Sequence, residues 1–351
     1  MAQGVSPLDT AHREPLHAAQ LDYHGRRLAT ASADRCVRVW DVETRCFVTE
    51  LNGHEGPVWA VAWSHPMFGP LLASTGEDRC VLVWREAEGE WLQVLRQELQ
   101  GPAMGIAFSP WEYGLQLAVA SCDGNVTVLS YSEGLEVEEE RWRVEAFRAH
   151  EGGVFAVSWA PATSPAVLNS AEPAGRSTVL GPRRLVTGGA DNQVRIWRHD
   201  ELTDAWVDQH HFASGEHGDW VRDVAWRPNM GIPANTIASC AEDGTVVIWT
   251  QAMVGQPWGR QSKWELGASA WQLSWSVTGS ILAVATSNNQ VVLYKEAPDG
   301  SWEGVDAFDE EGPDEAAGAR PGALDASSPK DLDRFKQAGP WGPSAESRRA
   351  R

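Results

Sequence analysis

An all-β fold of six repeated sheets, set around an axis like the blades of a propeller, is what this 351-residue sequence predicts. Three observations predict it. An Asp or Asn precedes a large apolar residue by six positions in six places: Asp34 and Trp40, Asp78 and Trp84, Asp123 and Leu129, Asp191 and Trp197, Asp243 and Trp249, Asn288 and Tyr294. The ends of these pairs fall mostly about 45 residues apart, the period of a four-stranded blade. Tryptophan is also over-used, at 19 residues against 8 Phe and 4 Tyr, so a periodic structure must place it.

Residues 1–15 read as a polar leader, with Val5 and Leu8 too isolated for an alternating strand. Residues 16–296 carry the six units. In the first, Leu21 and Tyr23 alternate, His24-Gly25 turns, and Leu28-Ala29-Thr30 leads to Val37-Arg38-Val39-Trp40. The second, Gly53 to Trp84, is the most complete, with His54, Ser74, Asp78 and Trp84 in one repeat. The third runs through Ile106, Phe108 and Leu117-Ala118-Val119; the fourth from His150 through Val154, Val157 and Trp159 to Thr187. The fifth holds His217, Val221, Val224, Trp226 and Ser239, and the sixth Leu273, Trp275 and Leu282-Ala283-Val284. Each unit offers three clear period-2 runs separated by Gly, Asp, Asn or Pro turns, and a weaker fourth. Runs such as Thr245-Val-Val-Ile-Trp249 are rich in β-branched residues that suit a pleated surface. No useful amphipathic helix appears in the repeats. The insertion from Pro161 to Arg183, rich in Pro, Ala, Ser and Gly, reads as a surface loop. Residues 297–351 are acidic and rich in Gly, Ala and Pro, which marks a disordered tail, with Trp302, Phe308 and Trp341 isolated in it.

Hydrophobic residues at 42% are enough for a core, and a net charge of −19 argues against a broad basic face for nucleic acid. Five cysteines without a Cys-x-x-Cys pair suit a reducing compartment and buried thiols better than disulfides or zinc. The sequence shows no apolar leader and no long apolar run, so a soluble protein on the cytosolic side is expected. The Asn125-Val126-Thr127 sequon then reads as chance. Phosphate-loop glycine patterns are missing, His210-His211 lacks partners at metal spacing, and Glu138 to Glu140 reads as a solvated charge run. No cofactor and no metal are expected.

Ser, His and Asp together suggest a hydrolytic triad, and the set occurs three times: Ser74, His54, Asp78; Thr187, His150, Asp191; Ser239, His217, Asp243. An enzyme needs one such site, open to substrate and beside an oxyanion hole. No Gly-x-Ser-x-Gly elbow accompanies any of them. A repeated set, each followed by Trp84, Trp197 or Trp249 at fixed spacing, needs a repeated cause. The residues fit a structural staple in which Asp accepts from His, His meets the hydroxyl, and the indole N–H finds an acceptor inside the blade. The expected protein is not an enzyme.

Gly-His, Leu-Ala-Ser, Asp and Trp in this order resemble the WD-repeat family of β-propellers, over about Leu16 to Glu296. Within it, GHEGPVWAVAWSHPMFG, DRCVRVWDV, DWVRDVAWRPNMGIP and TIASCAEDGTVVIWT look like the small propeller subunit of the COPII outer coat. That resemblance implies a scaffold subunit of the vesicle coat, serving ER-to-Golgi transport, and of the nuclear-pore outer ring. It also implies a large α-solenoid partner that inserts a blade into an open propeller, and peripheral membrane association through the coat. Units three and six depart from the pattern: Val119 and Val284 replace Ser or Thr, Leu129 and Tyr294 replace Trp, and Leu99 and Leu266 stand at the His position.

Closure of the ring usually takes a strand from one terminus, and neither end offers one. The gap between units one and six would then leave apolar faces and strand edges for a partner to cover. Leu21 and Tyr23 on one side and Trp271, Leu273 and Trp275 on the other are the expected partner-binding residues. The rival reading is a closed adaptor that reads peptides at the channel, with Arg35, Arg79 and Arg222 as rim residues.

Overall fold

The computed structural model describes residues 8–132, 141–162, 180–212, 214–229, 234–253, 255–297 and 299–308. Most of the Pro161–Arg183 insertion, the Glu138–Glu140 run and the chain beyond residue 308 lie outside that set.

Six sheets of four antiparallel strands are present, each taking its strands in chain order. Blade 1 holds β1 (Leu16–Leu21), β2 (Arg27–Ser32), β3 (Cys36–Asp41) and β4 (Phe47–Asn52). Blade 2 holds β5 (Val58–Trp63), β6 (Leu71–Gly76), β7 (Cys80–Ala87) and β8 (Glu90–Glu98). Blade 3 has β9 (Ala103–Phe108), β10 (Gln116–Ser121), β11 (Asn125–Tyr131) and β12 (Trp142–Arg148). Blade 4 has β13 (Val154–Trp159), β14 (Arg184–Gly189), β15 (Val194–Asp200) and β16 (Ala205–His211). Blade 5 is β17 (Val221–Trp226), β18 (Asn235–Ala241), β19 (Thr245–Gln251) and β20 (Gly259–Glu265). Blade 6 is β21 (Ala270–Trp275), β22 (Ile281–Thr286), β23 (Val291–Glu296) and β24 (Trp302–Phe308). Two 3-10 turns, Pro66–Phe68 and Trp111–Tyr113, precede β6 and β10.

The sixth sheet corrects the expected boundary at residue 296. β24 pairs with β23, setting Leu293 opposite Val305, and Trp302 is buried against blade 5 rather than loose in a tail. The weak alternation of this stretch hid it, because Gly300 and Gly304 interrupt the pattern. The leader is corrected as well. His12 places Nδ1 2.8 Å from Asp34 and Nε2 2.9 Å from Thr30 Oγ1, so residues before β1 belong to blade 1.

Side chains alternate between the two faces of a strand, so each blade turns one apolar face to the preceding blade and one to the next. In β7, Cys80, Leu82 and Trp84 pack on blade 1, whereas Val81 and Val83 pack on blade 3. The same division gives cores between blades 3 and 4, 4 and 5, and 5 and 6. Six blades thus share five cores among the described residues.

Tryptophans that end the inner strands add polar clips to these cores. The indole N–H of Trp63 donates to the Gln20 carbonyl at 3.0 Å, Trp159 to Ala107 at 3.0 Å, and Trp275 to Ala225 at 3.1 Å. Each reaches back one blade, to the carbonyl just before the end of the neighbouring inner strand. A second, recurring role for Trp explains part of its abundance. We expect Trp159→Phe, which keeps the ring and removes the donor, to lower stability by about 1 kcal/mol, read from denaturant unfolding.

Candidate functional site: the open edge between blades 1 and 6

Inner strands of neighbouring blades pack in series: β1 on β5, β5 on β9, β9 on β13, β13 on β17, β17 on β21. No comparable packing returns from β21 to β1 among the described residues. Period 2 fixes which side chains this leaves uncovered. In blade 2 the cross-strand row Ala62, Ala73, Val83 faces blade 3 and is buried. The matching row of blade 6 is Ser274, Ala283, Leu293, Val305, flanked by Ala285 and Val291. Ala283 and Leu293 there are only half-buried, and Val291 and Val305 are 39% and 44% exposed. This wall is largely apolar, and none of the other described blades packs on it.

Blade 1 presents the other wall. Its row Leu21, Leu28, Trp40, Phe47 repeats the placement of Trp63, Leu72, Trp84, Gln93, which in blade 2 packs on blade 1. Leu21 and Phe47 are each 52% exposed. Leu21 stands where Trp63, Trp159 and Trp275 end their inner strands, so blade 1 lacks the indole clip that would tie it to blade 6. Beside this row Arg38 replaces the apolar Leu82 of blade 2 and pairs with Glu50 through Nε at 2.9 Å. One wall is therefore aliphatic, and the other mixes apolar surface with an ion pair.

Of the five residues expected at the gap, Leu21 alone lies on a gap-facing row. Tyr23 turns to blade 2, with its ring 4.7 Å from that of His65. Leu273 and Trp275 are buried in the core with blade 5, and Trp271 lies against Arg222 of that blade. The correction is one of parity. The large residues of β21 occupy the positions facing backward, and the smaller Gln272 and Ser274 face the gap. In a two-residue period, size does not reveal which neighbour a face meets.

The staples form as the spacing implies in two blades. His54 Nδ1 lies 3.0 Å from both oxygens of Asp78, its Nε2 2.8 Å from Ser74 Oγ, and Trp84 donates to the same oxygen at 3.1 Å. His150 meets Asp191 and Thr187 at 2.8 Å each, and Trp197 donates to Thr187 at 3.0 Å. Gly76 and Gly189 leave room for this: a Cβ at Gly189 would approach His150 Nδ1 to 2.5 Å. Burial opposes ionisation of Asp78, but the His54 ring and the Glu55 and Cys80 N–H groups outweigh it and hold the carboxyl below its usual range. Blade 5 differs. His217 reaches Ser239 at 2.7 Å, and Trp249 donates to Ser239 at 2.8 Å, but the Thr245 hydroxyl stands between the ring and Asp243. Without a carboxylate against it, burial pushes His217 down to about 4. Blade 1 has the missed fourth set, His12, Thr30, Asp34 and Trp40, in which the Trp40 indole N–H stays unpaired. Its histidine lies in the leader, so the Gly-His pattern could not reveal it.

The Asp-His-Ser geometry is that of a nucleophile and base, yet Ser74 and Ser239 are fully buried and each also accepts from an indole. No substrate carbonyl reaches either oxygen without dismantling the blade. In blades 3 and 6, Val119, Leu129, Val284 and Tyr294 are buried where the polar set would stand. The rim arginines of the adaptor reading are already engaged or outward. Arg222 lies about 5 Å from the rings of Phe155, Trp220 and Trp271 and bonds Glu242. Arg79 pairs with Glu98 at the surface. Arg35 is a positive-φ turn residue, with φ 71°. Glu145, His199 and Asp204 converge as cation ligands would. Arg183, however, donates to His199 Nδ1 at 2.7 Å, which leaves the proton on Nε2, and Arg143 takes Asp204. The cluster is an ion-pair knot.

Comparison with known proteins follows the same lines. The WD domain, G-beta repeat family matches residues 5–41, 45–85 and 209–250. The protein SEC13 homolog of Drosophila melanogaster is 39% identical over 306 residues, 86% of this chain and 83% of its own. The chain belongs to the Sec13 family. The protein transport protein sec13 of Emericella nidulans is 39% identical over 321 residues, covering 88% of this chain and 99% of its own. Its counterpart in Mycosarcoma maydis is 35% identical over 356 residues, covering 88% and 96%. In this Sec13-family chain, blades 2 and 4 carry both the staple, which locks strands within a sheet, and the clip, which joins sheets, whereas blade 6 carries the clip alone.

A polar clip of a different kind joins blades 5 and 6. Asp223 accepts from the Leu273 N–H at 2.7 Å and from the Val224 N–H at 2.8 Å. Burial between the two inner strands pushes its carboxyl up to about 7, against those two N–H donors. A raised acid favours the folded state below its unfolded value near 3.8, and this contribution is lost as pH rises through about 7. Asp223→Asn should remove that loss, giving a flatter stability profile from pH 4 to 8 in urea titrations. Ser74→Ala strands two buried partners, His54 Nε2 and the Trp84 indole, and should lower stability by roughly 2–4 kcal/mol, measured at neutral pH.

Proposed function

We propose that this chain is a non-enzymatic structural subunit of a protein-transport coat, the COPII vesicle coat of ER-to-Golgi transport, and of the nuclear-pore outer ring. A large α-solenoid partner donates a β-blade to the gap between blades 1 and 6. The observation that carries this reading is that, among the described residues, six blades share five cores, with an aliphatic wall left over on blade 6. An apolar wall in water favours any partner that covers it by roughly 25 cal/mol per Å². A sheet is the natural cover, because it repeats the packing that every other blade face already has. The relatives named for protein transport support the transport role. The buried staple hydroxyls support a scaffold over a hydrolase. The chain then works on the cytosolic face of ER exit sites and at the nuclear envelope, held to the membrane through its partners. No helix among the described residues is long and apolar enough to cross a membrane.

Co-purification with mass spectrometry identifies the partner, and paired variants locate it. Leu293→Asp and Val305→Asp place charge on the uncovered wall of blade 6. They should abolish recovery of the solenoid partner while leaving the melting temperature of the isolated chain unchanged. Adding the partner's blade segment to the wild-type chain should raise its melting temperature. A monodisperse chain whose melting temperature ignores the partner would refute the donated blade.

A further inference from the structure

A second uncovered apolar feature lies away from the gap, between blades 2 and 3. A cavity of about 230 Å³ opens there, walled by Phe68, Leu71, Leu115, Tyr131 and Trp142. These side chains continue the core shared by the two blades, and the rings of Tyr131 and Trp142 are 5.2 Å apart. Leu71, Tyr131 and Trp142 stand on strands, so the cavity has rigid walls. Met67, in the Pro66–Phe68 turn, and Val94, on β8, complete the lining and are 63% and 43% exposed.

The charged side chains on the described lining of this cavity are basic. Arg85 and Arg141 are the charged residues of its lining among the described residues, in a protein of net charge −19, and Arg141 is already engaged. Arg85 is exposed, and no acidic side chain pairs with it among the described residues. Its guanidinium stands beside apolar surface, where an incoming carboxylate is less screened than in open water. The volume is below the range of about 300–1,000 Å³ usual for small-molecule sites, and it suits a single large side chain.

We propose that this cavity docks a short acidic peptide of a partner protein. One Leu, Met or aromatic side chain enters between Phe68, Leu115 and Trp142, and a flanking Asp or Glu pairs with Arg85. An apolar anchor in a preformed pocket supplies most of the affinity, and the charged rim supplies direction and selectivity. This interface is separate from the gap: it needs no β-pairing, and it remains available when the gap is filled.

The test pans a random 12-residue phage-displayed library against the full chain and measures synthetic versions of the recovered peptides by fluorescence anisotropy. The expected result is enrichment of a large apolar residue flanked by Asp or Glu, with binding that weakens as salt rises. Arg85→Glu and, separately, Val94→Asp should each weaken binding by about tenfold or more. The gap variant Val305→Asp should leave it unchanged. Both Arg85 and Val94 are exposed, and melting curves confirm that their variants fold. Failure to enrich any peptide, enrichment of sequences without acids, or binding indifferent to Arg85→Glu overturns the proposal. So does a tenfold gain in peptide binding when the acidic residues of segment 133–140 are replaced by Gln, which would make the chain's own loop the occupant.

Discussion

Every blade of this protein is a sheet with two apolar faces, and each face needs a neighbour. That constraint follows from strand geometry alone, since alternate side chains leave on opposite sides. It explains why the cores lie between blades rather than within them, as where Leu82 and Val83, adjacent in β7, enter different cores. It also explains why the two end blades are special. Blade 6 buries Leu273, Leu282 and Val284 against blade 5, yet among the described residues no further blade packs over Leu293 and Val305. An unpaired face is a property of the series: it persists however well each blade is made.

Polar groups divide the remaining work. The His, Ser or Thr, Asp and Trp sets join strands within a sheet, and in blades 2, 4 and 5 the hydroxyl serves His and Trp at once. The inner-strand tryptophans join one sheet to the next through a single indole donor. Both devices place a polar group in a core with its partner already present, which limits the cost of burying it. Blades 3 and 6 omit the first device and fill its space with Val, Leu and Tyr. Trp275 retains the second, so blade 6 remains tied to blade 5 although no other described blade packs on its far side.

The staples of blades 2 and 4 were legible because their residues lie at fixed spacing within one repeat. Blade 5 was legible only in part: Thr245 intercepts Asp243, and no spacing rule distinguishes a direct His–Asp contact from one bridged by a hydroxyl. His12 was missed because it precedes the first recognisable strand. β24 was missed because glycines break its alternation, while backbone pairing with β23 tolerates them. Of the residues expected at the gap, Leu21 stands on a gap-facing row, and Leu273 and Trp275 stand on the row that faces blade 5. Their size marks them as buried, but burial against blade 5 and burial against a partner look the same in one dimension.

The sequence by itself determined the number of repeats, the strands of nearly every blade, the polar sets that hold three of them, and the absence of a catalytic pattern. These depend on local spacing, and local spacing is written in the chain. Only the tertiary structure decided which face of each strand meets which neighbour, and hence that blades 1 and 6 each turn toward the gap a face, of different chemistry, on which no other described blade packs. That choice depends on the order of blades around the axis. Two residues adjacent in sequence can face opposite neighbours, and packing between distant segments settles which.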